Sequence, residues 1–395
     1  MAIIDWIWCV FIFAFGCCIG SFLNVVIYRL PREKSLVHPG SYCPGCGKHI
    51  RWYDNIPLVS WLVLRAKCRN CKTSISPRYF IIELLTGLIF IGLYVLYFHT
   101  SLRDTLKVEG GWFVYLLHLI MLAGFIAASA IDLELWIIPL SICWFVTVAG
   151  FVSSAVGPYI VHPLLIKAYW LLPRASPASG AMAVGAAIGL AVSWILLLTG
   201  LLKRSYDADT ESNQIVVANE VESRNHSKNQ FDGSADMQFN HRIETCKEIV
   251  FLLPIVGLAL AALWCSKNIP IVRSLWPEFS QNPAVAGFLG SVWGYFVGCA
   301  VVWITRILGT LAFGREAMGL GDVHLMGAAG AVVGPILVVL AFFVAPFFGL
   351  GWAVFQMFFR KIRQIPYGPF LSLGVLTVMI FHDWVLNRFA FIFFS

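Results

Sequence analysis

Residues 7–27 read IWCVFIFAFGCCIGSFLNVVI, a stretch of 21 residues without a charged side chain that is followed by Arg29 and Arg32. A membrane-spanning helix needs about 20 such residues. The whole chain has the same character, since 59% of its 395 residues are hydrophobic and only 12% are charged. No soluble domain of this size buries so much apolar side chain. The apolar runs are continuous rather than alternating, which argues against a β-barrel.

The sequence therefore predicts an all-α polytopic membrane protein with roughly 8–10 transmembrane helices. The apolar segments that predict these helices are residues 5–28, 79–98, 112–131, 137–157, 180–202, 249–265, 284–312, 323–343, 345–359 and 367–392. The predicted divisions of the chain are a first transmembrane helix (1–29), a loop (30–78), two groups of transmembrane helices (79–202 and 249–395) and, between these groups, a polar insert (203–248).

Charge predicts the orientation of the chain. Ten Lys or Arg residues lie between Arg29 and Arg78, against Glu33 and Asp54. Cytoplasmic loops carry such an excess, so this loop is expected in the cytoplasm and needs no nucleic-acid partner to explain it. The first apolar run is expected to be an uncleaved signal anchor with its N-terminus outside. Alternation of the spans then places the insert and the basic run RKIR at 360–363 in the cytoplasm as well.

The polar insert is predicted to be a disordered loop. It holds nine acidic residues against six basic ones and few aromatic residues. A segment of this composition cannot bury enough apolar area to order itself.

Two C-x-x-C pairs in the loop, Cys43/Cys46 and Cys68/Cys71, are separated by 21 residues. Two residues between cysteines let a tight turn direct both sulfurs at one ion, and two such turns complete a tetrahedral S4 site. We expect a structural zinc-knuckle domain; iron in an S4 site and unpaired or redox thiols are the alternatives.

Two aspartates stand at the ends of apolar stretches. Asp132 ends the third stretch, and Asp322 follows Gly319 and Gly321 in the sequence GLGD. Acids at a membrane boundary are costly to keep, which favours a functional role. Two carboxylates that share one proton can act as general base and general acid on a peptide bond. For each aspartate alone, the alternative is an ordinary cap of the helix that follows it.

The chain resembles the type 4 prepilin peptidase family, the intramembrane aspartic peptidases of GxGD type. The resemblance rests on the two cysteine pairs and on five further segments, which are GSFLNVVIYRLP (20–31), RWYDNIPLVSW (51–61), ISPRY (75–79), AMGLGDVHLM (317–326) and IPYGPF (365–370). It implies a multi-pass enzyme of the bacterial inner membrane that removes the short basic leader of prepilins or pseudopilins at the cytoplasmic face, in pilus assembly or secretion. It implies that Asp132 and Asp322 are catalytic.

The resemblance also implies methylation of the new N-terminus with S-adenosylmethionine. The chain departs from the family pattern at Leu140, where an aspartate is usual, and at His324, where a lysine is usual. His324 can change charge near pH 7, so electrostatic support of Asp322 is expected to be pH-sensitive. Glu83, in the second apolar run, is expected to pair with an arginine such as Arg78 or to line the methylation site.

Two other functions compete with the peptidase. A proton-coupled transporter would use Asp132 and Asp322 as proton carriers, as intramembrane acids often do. An inactive member of the family would act as an assembly factor, which the departures at Leu140 and His324 make conceivable.

Overall fold

The computed structural model describes residues 3–202, 205, 241–359 and 366–393. Within these ranges the ordered backbone is helical, apart from two isolated β-bridges in the cysteine loop. The α-helices are α1 (Ile3–Arg29), α2 (Val59–Val63), α3 (Pro77–Phe98), α4 (Gly111–Leu135), α5 (Leu140–Val156), α6 (Pro163–Tyr169), α7 (Pro177–Leu198), α8 (His241–Asn268), α9 (Pro270–Gln281), α10 (Pro283–Phe313), α11 (Leu320–Val333), α12 (Pro335–Phe359), α13 (Gly368–Ile380) and α14 (His382–Phe393). Short 3-10 helices cover Leu30–Arg32, Trp52–Asn55, Ser101–Leu106 and Gly157–Tyr159.

Eight of the described helices are long and apolar enough to cross a membrane, judged by length and composition. Two further apolar helices, α11 and α13, are shorter. This confirms the predicted all-α polytopic class and the predicted range of helix number. The chain is a multi-pass membrane protein.

Two predicted boundaries near the C-terminus are wrong. The break expected between residues 343 and 345 lies instead at Gly334, where φ is +88°, and Pro335 opens α12. Glycine reaches this backbone conformation without strain, and proline is well suited to the first turn of a helix. Pro346, near the expected break, lies inside α12. The single span expected over 367–392 is two helices, because α13 ends at Ile380.

The polar insert ends earlier than predicted, because its C-terminal residues belong to a helix. Residues 203, 204 and 206–240 lie outside the described residues, as does the basic run at 360–363. Helix α8 begins at His241, so the last eight residues assigned to the insert are helical. Polar residues join this helix because they have partners in the bundle: Glu248, 4% exposed, is ion-paired with Arg306.

The cysteine loop starts and ends at neighbouring points of the bundle. A methyl group added to Gly20 of α1 would lie 2.7 Å from the Cα of Glu83 in α3, so the two helices touch through their backbones. Nearby, the Asn24 amide donates to the carbonyl of Tyr79 at 3.1 Å. Arg29, at the end of α1, donates to loop carbonyls including that of Ser35, at 2.9 Å. These contacts fix the two ends of the loop to one another.

Helices α10 and α11 meet at glycines. A methyl group added to Gly294 would lie 2.1 Å from the carbonyl oxygen of Gly330, and one added to Gly298 would lie 2.2 Å from that of Met326. Small residues at this spacing let the backbones of membrane helices approach closely. Helix α11 is consequently buried on all sides, with Val323, Leu325 and Met326 fully inaccessible. The packing places the helix that starts beside Asp322 at the centre of the bundle.

We expect Gly298→Ala to destabilise the protein by about 1–3 kcal/mol, because the added methyl overpacks the α10–α11 contact. Gly257→Ala is the matched control, since Gly257 lies in α8 with open space around its Cα. Alanine is a better helix former than glycine, so this control should be neutral or stabilised by up to about 1 kcal/mol. Thermal unfolding in detergent measures both variants. Equal melting temperatures would contradict the packing argument.

Candidate active site and metal centre

Four cysteine sulfurs of the loop form one cluster. The Sγ atoms of Cys43, Cys46, Cys68 and Cys71 all lie within 4.8 Å of one another. The Sγ atoms of Cys43 and Cys71 are 3.7 Å apart. Zinc–sulfur bonds of about 2.3 Å in a tetrahedron put neighbouring sulfurs about 3.8 Å apart. The four cysteines therefore fit a zinc ion, which would have a structural role in such a closed S4 site.

The two cysteine turns have the same backbone. In each turn an N–H donates to the carbonyl of the first cysteine, from Gly47 to Cys43 at 2.8 Å and from Lys72 to Cys68 at 3.1 Å. Both donors have a left-handed backbone, with φ of +66° at Gly47 and +61° at Lys72. Lysine adopts this conformation rarely. The turn at Cys68 therefore has the same backbone geometry as the turn at Cys43, although this is unfavourable for Lys72. The shared geometry lets both turns direct their sulfurs to one point.

Hydrogen bonds favour the thiolate form of Cys68 and Cys71, the pair on the more exposed side of the cluster. The hydroxyl and backbone N–H of Thr73 lower the pKa of the Cys71 thiol to about 6. Backbone N–H groups of its own turn lower the pKa of Cys68. Burial raises the pKa of the Cys43 thiol to about 11. Thiolates are the metal-binding form, so a cation would have to deprotonate Cys43 on binding.

Asp132 lies in the last turn of α4 and is only 6% exposed. Its carboxylate accepts a hydrogen bond from the backbone N–H of Gly368, the first residue of α13, at 3.1 Å. The alternative that Asp132 simply caps the helix following it does not match this contact, since Gly368 is 236 residues away in the sequence. The side chain of Gly368 has to be hydrogen, because an added methyl would lie 2.8 Å from the Asp132 carboxylate oxygen.

Asp322 lies in the first turn of α11 and is 7% exposed. Its carboxylate accepts the backbone N–H of Gly319 at 3.2 Å, so it caps its own helix. The capping role that the sequence offered as an alternative is thus present. It leaves the second carboxylate oxygen available for other contacts.

The two aspartates share one neighbourhood. A methyl group added to Gly321 would lie 2.7 Å from Cβ of Ile138, and one added to Gly368 would lie 3.1 Å from its Cδ1. Ile138 thus lies between the residue preceding Asp322 and the residue that holds Asp132. Two buried acids whose neighbouring residues meet at one isoleucine are candidates to share a proton.

The site and the cysteine loop lie at the same end of the bundle. Arg78, in the first turn of α3, is ion-paired at 2.6 Å with Glu134, two residues after Asp132. The expected pairing of Arg78 with Glu83 is therefore wrong, while a place of Glu83 in the methylation site stays a prediction. Glu83 accepts the backbone N–H of Leu58 at 2.8 Å, which ties the start of α2 to α3. Arg78 can reach Glu134 because the Glu134 carboxylate is exposed near the helix ends, whereas the Glu83 carboxylate is buried.

His324 and Leu140 mark the two departures from the family pattern. His324 Nδ1 is hydrogen-bonded to the Tyr295 hydroxyl at 3.0 Å, and its ring lies 6.4 Å from that of Trp144. These contacts direct the imidazole toward α10, which carries Tyr295, and α5, which carries Trp144. Its support of Asp322 stays a prediction. Leu140 is the first residue of α5 and is half exposed.

Sequence reasoning did not assign Ile138, Tyr367 and Gly368 to the site. The structure places Ile138 and Gly368 against the aspartates, and Tyr367 directly precedes Gly368. A signal for two of them was present, because the segment IPYGPF carries Tyr367 and Gly368.

Comparison with known proteins gives two family matches. Residues 14–97 match the bacterial peptidase A24 N-terminal domain, and residues 248–354 match the type IV leader peptidase family. The prepilin leader peptidase/N-methyltransferase of Aeromonas hydrophila is 31% identical over 243 residues, which cover 50% of this chain and 80% of that protein. The chain belongs to the type 4 prepilin peptidase family.

Other prepilin peptidases match shorter stretches. The prepilin leader peptidase/N-methyltransferase of Myxococcus xanthus is 44% identical over 161 residues, covering 40% of this chain and 42% of that protein. The type 4 prepilin-like proteins leader peptide-processing enzyme of Escherichia coli O78:H11 is 42% identical over 137 residues, covering 30% of this chain and 46% of that enzyme. The chain thus spans less than half the length of these two relatives. No solved structure matches the chain.

For the metal centre, we expect about one zinc ion per chain by elemental analysis of the purified protein. The double variant Cys43→Ser with Cys68→Ser should lose it, because each turn then lacks a ligand. Cys246→Ser is the control, since Cys246 is an exposed residue of α8 outside the cluster. Acidification should release the metal from the unaltered protein as the thiolates take up protons. Metal-free protein from a zinc-supplied culture would reject the S4 site.

Proposed function

We propose that the protein is a membrane aspartic endopeptidase that cleaves the short basic leader of type 4 prepilins or pseudopilins. The observation that carries the proposal is the placement of Asp132 and Asp322, two buried carboxylates on helices far apart in sequence whose neighbouring residues Gly368 and Gly321 meet at Ile138. The printed names of the relatives supply the substrate class, since each is a peptidase or processing enzyme for a prepilin or prepilin-like protein.

The proposed reaction is hydrolysis of one peptide bond. The ionised carboxylate of the pair takes a proton from a water molecule, which attacks the scissile carbonyl carbon. The protonated carboxylate donates its proton to the carbonyl oxygen, which gives a tetrahedral intermediate. The proton taken from water then passes to the amine nitrogen as the C–N bond breaks, and the re-forming carboxyl group returns a proton to the second carboxylate. The two carboxyl groups are coupled, so the steps in which they lose their protons belong to the pair and not to either aspartate alone. Gly319 is exposed and carries no side chain beyond hydrogen, which lets an extended substrate approach the backbone before Asp322.

The proposed substrate is a precursor with a basic leader and an apolar helix. The apolar helix would enter the bilayer beside the bundle while the leader stays in the cytoplasm. The end of the bundle that carries both aspartates also carries the basic cysteine loop, joined to it by the Arg78–Glu134 ion pair. By the positive-inside rule this end faces the cytoplasm, and in a bacterium the membrane is the inner one.

The transporter alternative is disfavoured by the position of the carboxylates. A proton carrier serves best near the middle of the membrane, along a path open to both sides. Asp132 is in the last turn of α4 and Asp322 in the first turn of α11, so both sit at helix ends. The assembly-factor alternative requires a damaged site, whereas both aspartates are present with a hydrogen-bond donor each.

For cleavage, we expect Asp132→Asn and Asp322→Asn each to abolish leader removal when the protein is co-expressed with a pilin-like precursor. Asparagine keeps the shape of the side chain but cannot exchange the proton that catalysis needs. Asp104→Asn is the control, because Asp104 is an exposed acid that is ion-paired with Lys107. A gel-mobility shift of leader size reports processing. Normal processing by both active-site variants would show that the pair is not catalytic.

We further propose that the new N-terminus is methylated with S-adenosylmethionine as the methyl donor. Relatives from Myxococcus xanthus and Aeromonas hydrophila carry N-methyltransferase in their names, and the match to the A24 N-terminal domain includes the cysteine loop. Among the described residues, no glycine-rich nucleotide loop on a βαβ unit is present, so residues for the methyl donor are not assigned.

Mass spectrometry of the processed substrate tests methylation. We expect a methyl group on the new N-terminal amine, and we expect the double variant Cys43→Ser with Cys68→Ser to reduce its yield, since the loop would lose its metal. The cleavage yield of the same sample is the internal control. A processed substrate with a free amine from the unaltered protein would contradict the methylation proposal.

A further inference from the structure

A buried ion pair lies next to the aspartate site without being part of it. Arg306 of α10 is 1% exposed, and Glu248 of α8 is 4% exposed. The Nε of Arg306 donates to both carboxylate oxygens of Glu248, at 3.0 and 3.2 Å, and its Nη2 donates to one of them at 2.9 Å. Trp303 Nε1 donates to the same carboxylate at 3.0 Å. Glu248 is thereby held by three nitrogen donors.

The other end of the guanidinium holds the segment that precedes Asp322. Its Nη1 donates to the carboxylate of Glu316 and to the carbonyl oxygen of Met318. One turn further along α10, the Thr310 hydroxyl accepts the backbone N–H of Ala317 at 3.3 Å. Residues 316–318 are thus tied to α10 at three points.

The carbonyl of Met318 and the N–H of Gly319 belong to one peptide unit. That unit is planar, so fixing the direction of its carbonyl also fixes the direction of its N–H. The N–H donates to the Asp322 carboxylate at 3.2 Å. A continuous chain of hydrogen bonds therefore runs from Glu248 through Arg306 and a single peptide plane to Asp322. Hydrogen bonds linked in series polarise and strengthen one another.

We propose that Arg306 is a positioning residue that sets the orientation of the Asp322 carboxylate through the Met318–Gly319 peptide, and that Glu248 holds Arg306 in place for this task. The inference rests on the proposed catalytic role of Asp322. Stability alone does not account for the arrangement, because a buried ion pair is often no more stabilising than a well-packed apolar pair. The planar fork of arginine can reach the Glu248 carboxylate and the Met318 carbonyl together, whereas lysine carries a single ammonium group.

The test is Arg306→Lys in the full chain, with kcat and KM for leader cleavage measured in detergent or nanodiscs. The control is Arg103→Lys. Arg103 is 2% exposed, donates to the carbonyl of Met379 and lies 3.8 Å from Asp383. Arg103 is therefore buried to the same extent as Arg306. It contacts the last turn of α13, at the opposite end of that helix from Gly368, the residue that contacts Asp132. Melting temperatures of both variants report general damage.

We expect Arg306→Lys to lower kcat by about 10- to 100-fold with KM changed little, because the scissile bond is bound but the carboxylate is misaligned. Arg103→Lys should lower the melting temperature without this loss of kcat. Should Arg306→Lys fail to fold, Thr310→Val removes one tie of the same segment and Glu316→Gln weakens another, at a side chain that is 42% exposed. These variants should lower kcat in the same way. Unchanged kcat in all folded variants would overturn the proposal.

Hydrogen exchange gives a readout independent of cleavage. A peptide covering residues 316–322 should exchange faster in Arg306→Lys than in the unaltered protein, and Arg103→Lys should leave it unchanged. Equal exchange in all three proteins would overturn the positioning role. Absence of cleavage by the unaltered protein would instead count against the proposed function, while the exchange experiment would still decide the contact.

Discussion

A carboxylate inside an apolar bundle needs a hydrogen-bond donor, and in this protein the donor is repeatedly a backbone amide at the start of a helix. Gly368 opens α13 and holds Asp132, Gly319 precedes α11 and holds Asp322, and Leu58 precedes α2 and holds Glu83. The N–H groups of a first helical turn have no partner within the helix, and the helix dipole favours negative charge there. Each acid therefore satisfies an amide that would otherwise need another partner.

This requirement shapes the end of the bundle that carries the aspartates. An acid at the end of α4 can be held by α13 only if the two helices meet there, and α11 must be deeply inserted for Asp322 to join them. The glycine contacts between α10 and α11 allow that insertion. Glu83 and the Arg78–Glu134 pair then join the cysteine loop to the same end. The packing of the helices and the hydrogen bonding of their buried acids therefore favour the same arrangement of the helix ends.

The features that depend on local composition could be predicted from the sequence. Apolar length predicted the helical membrane class, and cysteine spacing predicted the four-sulfur cluster. The partners of buried polar groups could not be predicted, because they lie on distant segments of the chain. Gly368 is far from Asp132 in sequence, and Arg78 pairs with Glu134 although Glu83 is closer to it in sequence. The helix break at Gly334 had a local signal in the following proline. The helical start of α8 had none, because the partner of Glu248 is Arg306 in another helix.

The cysteine loop leaves α1 at Arg29 and returns to α3 at Pro77, close to the hydrogen bond between Asn24 and Tyr79 of those helices. Its closure is therefore provided by the bundle and does not depend on the loop's own length. Lengthening such an excursion costs little entropy, since each doubling adds only about 0.6 kcal/mol. Residues could therefore be added to the knuckle at little entropic cost, provided that the contacts of Leu58 with Glu83 and of Arg29 with Ser35 are kept.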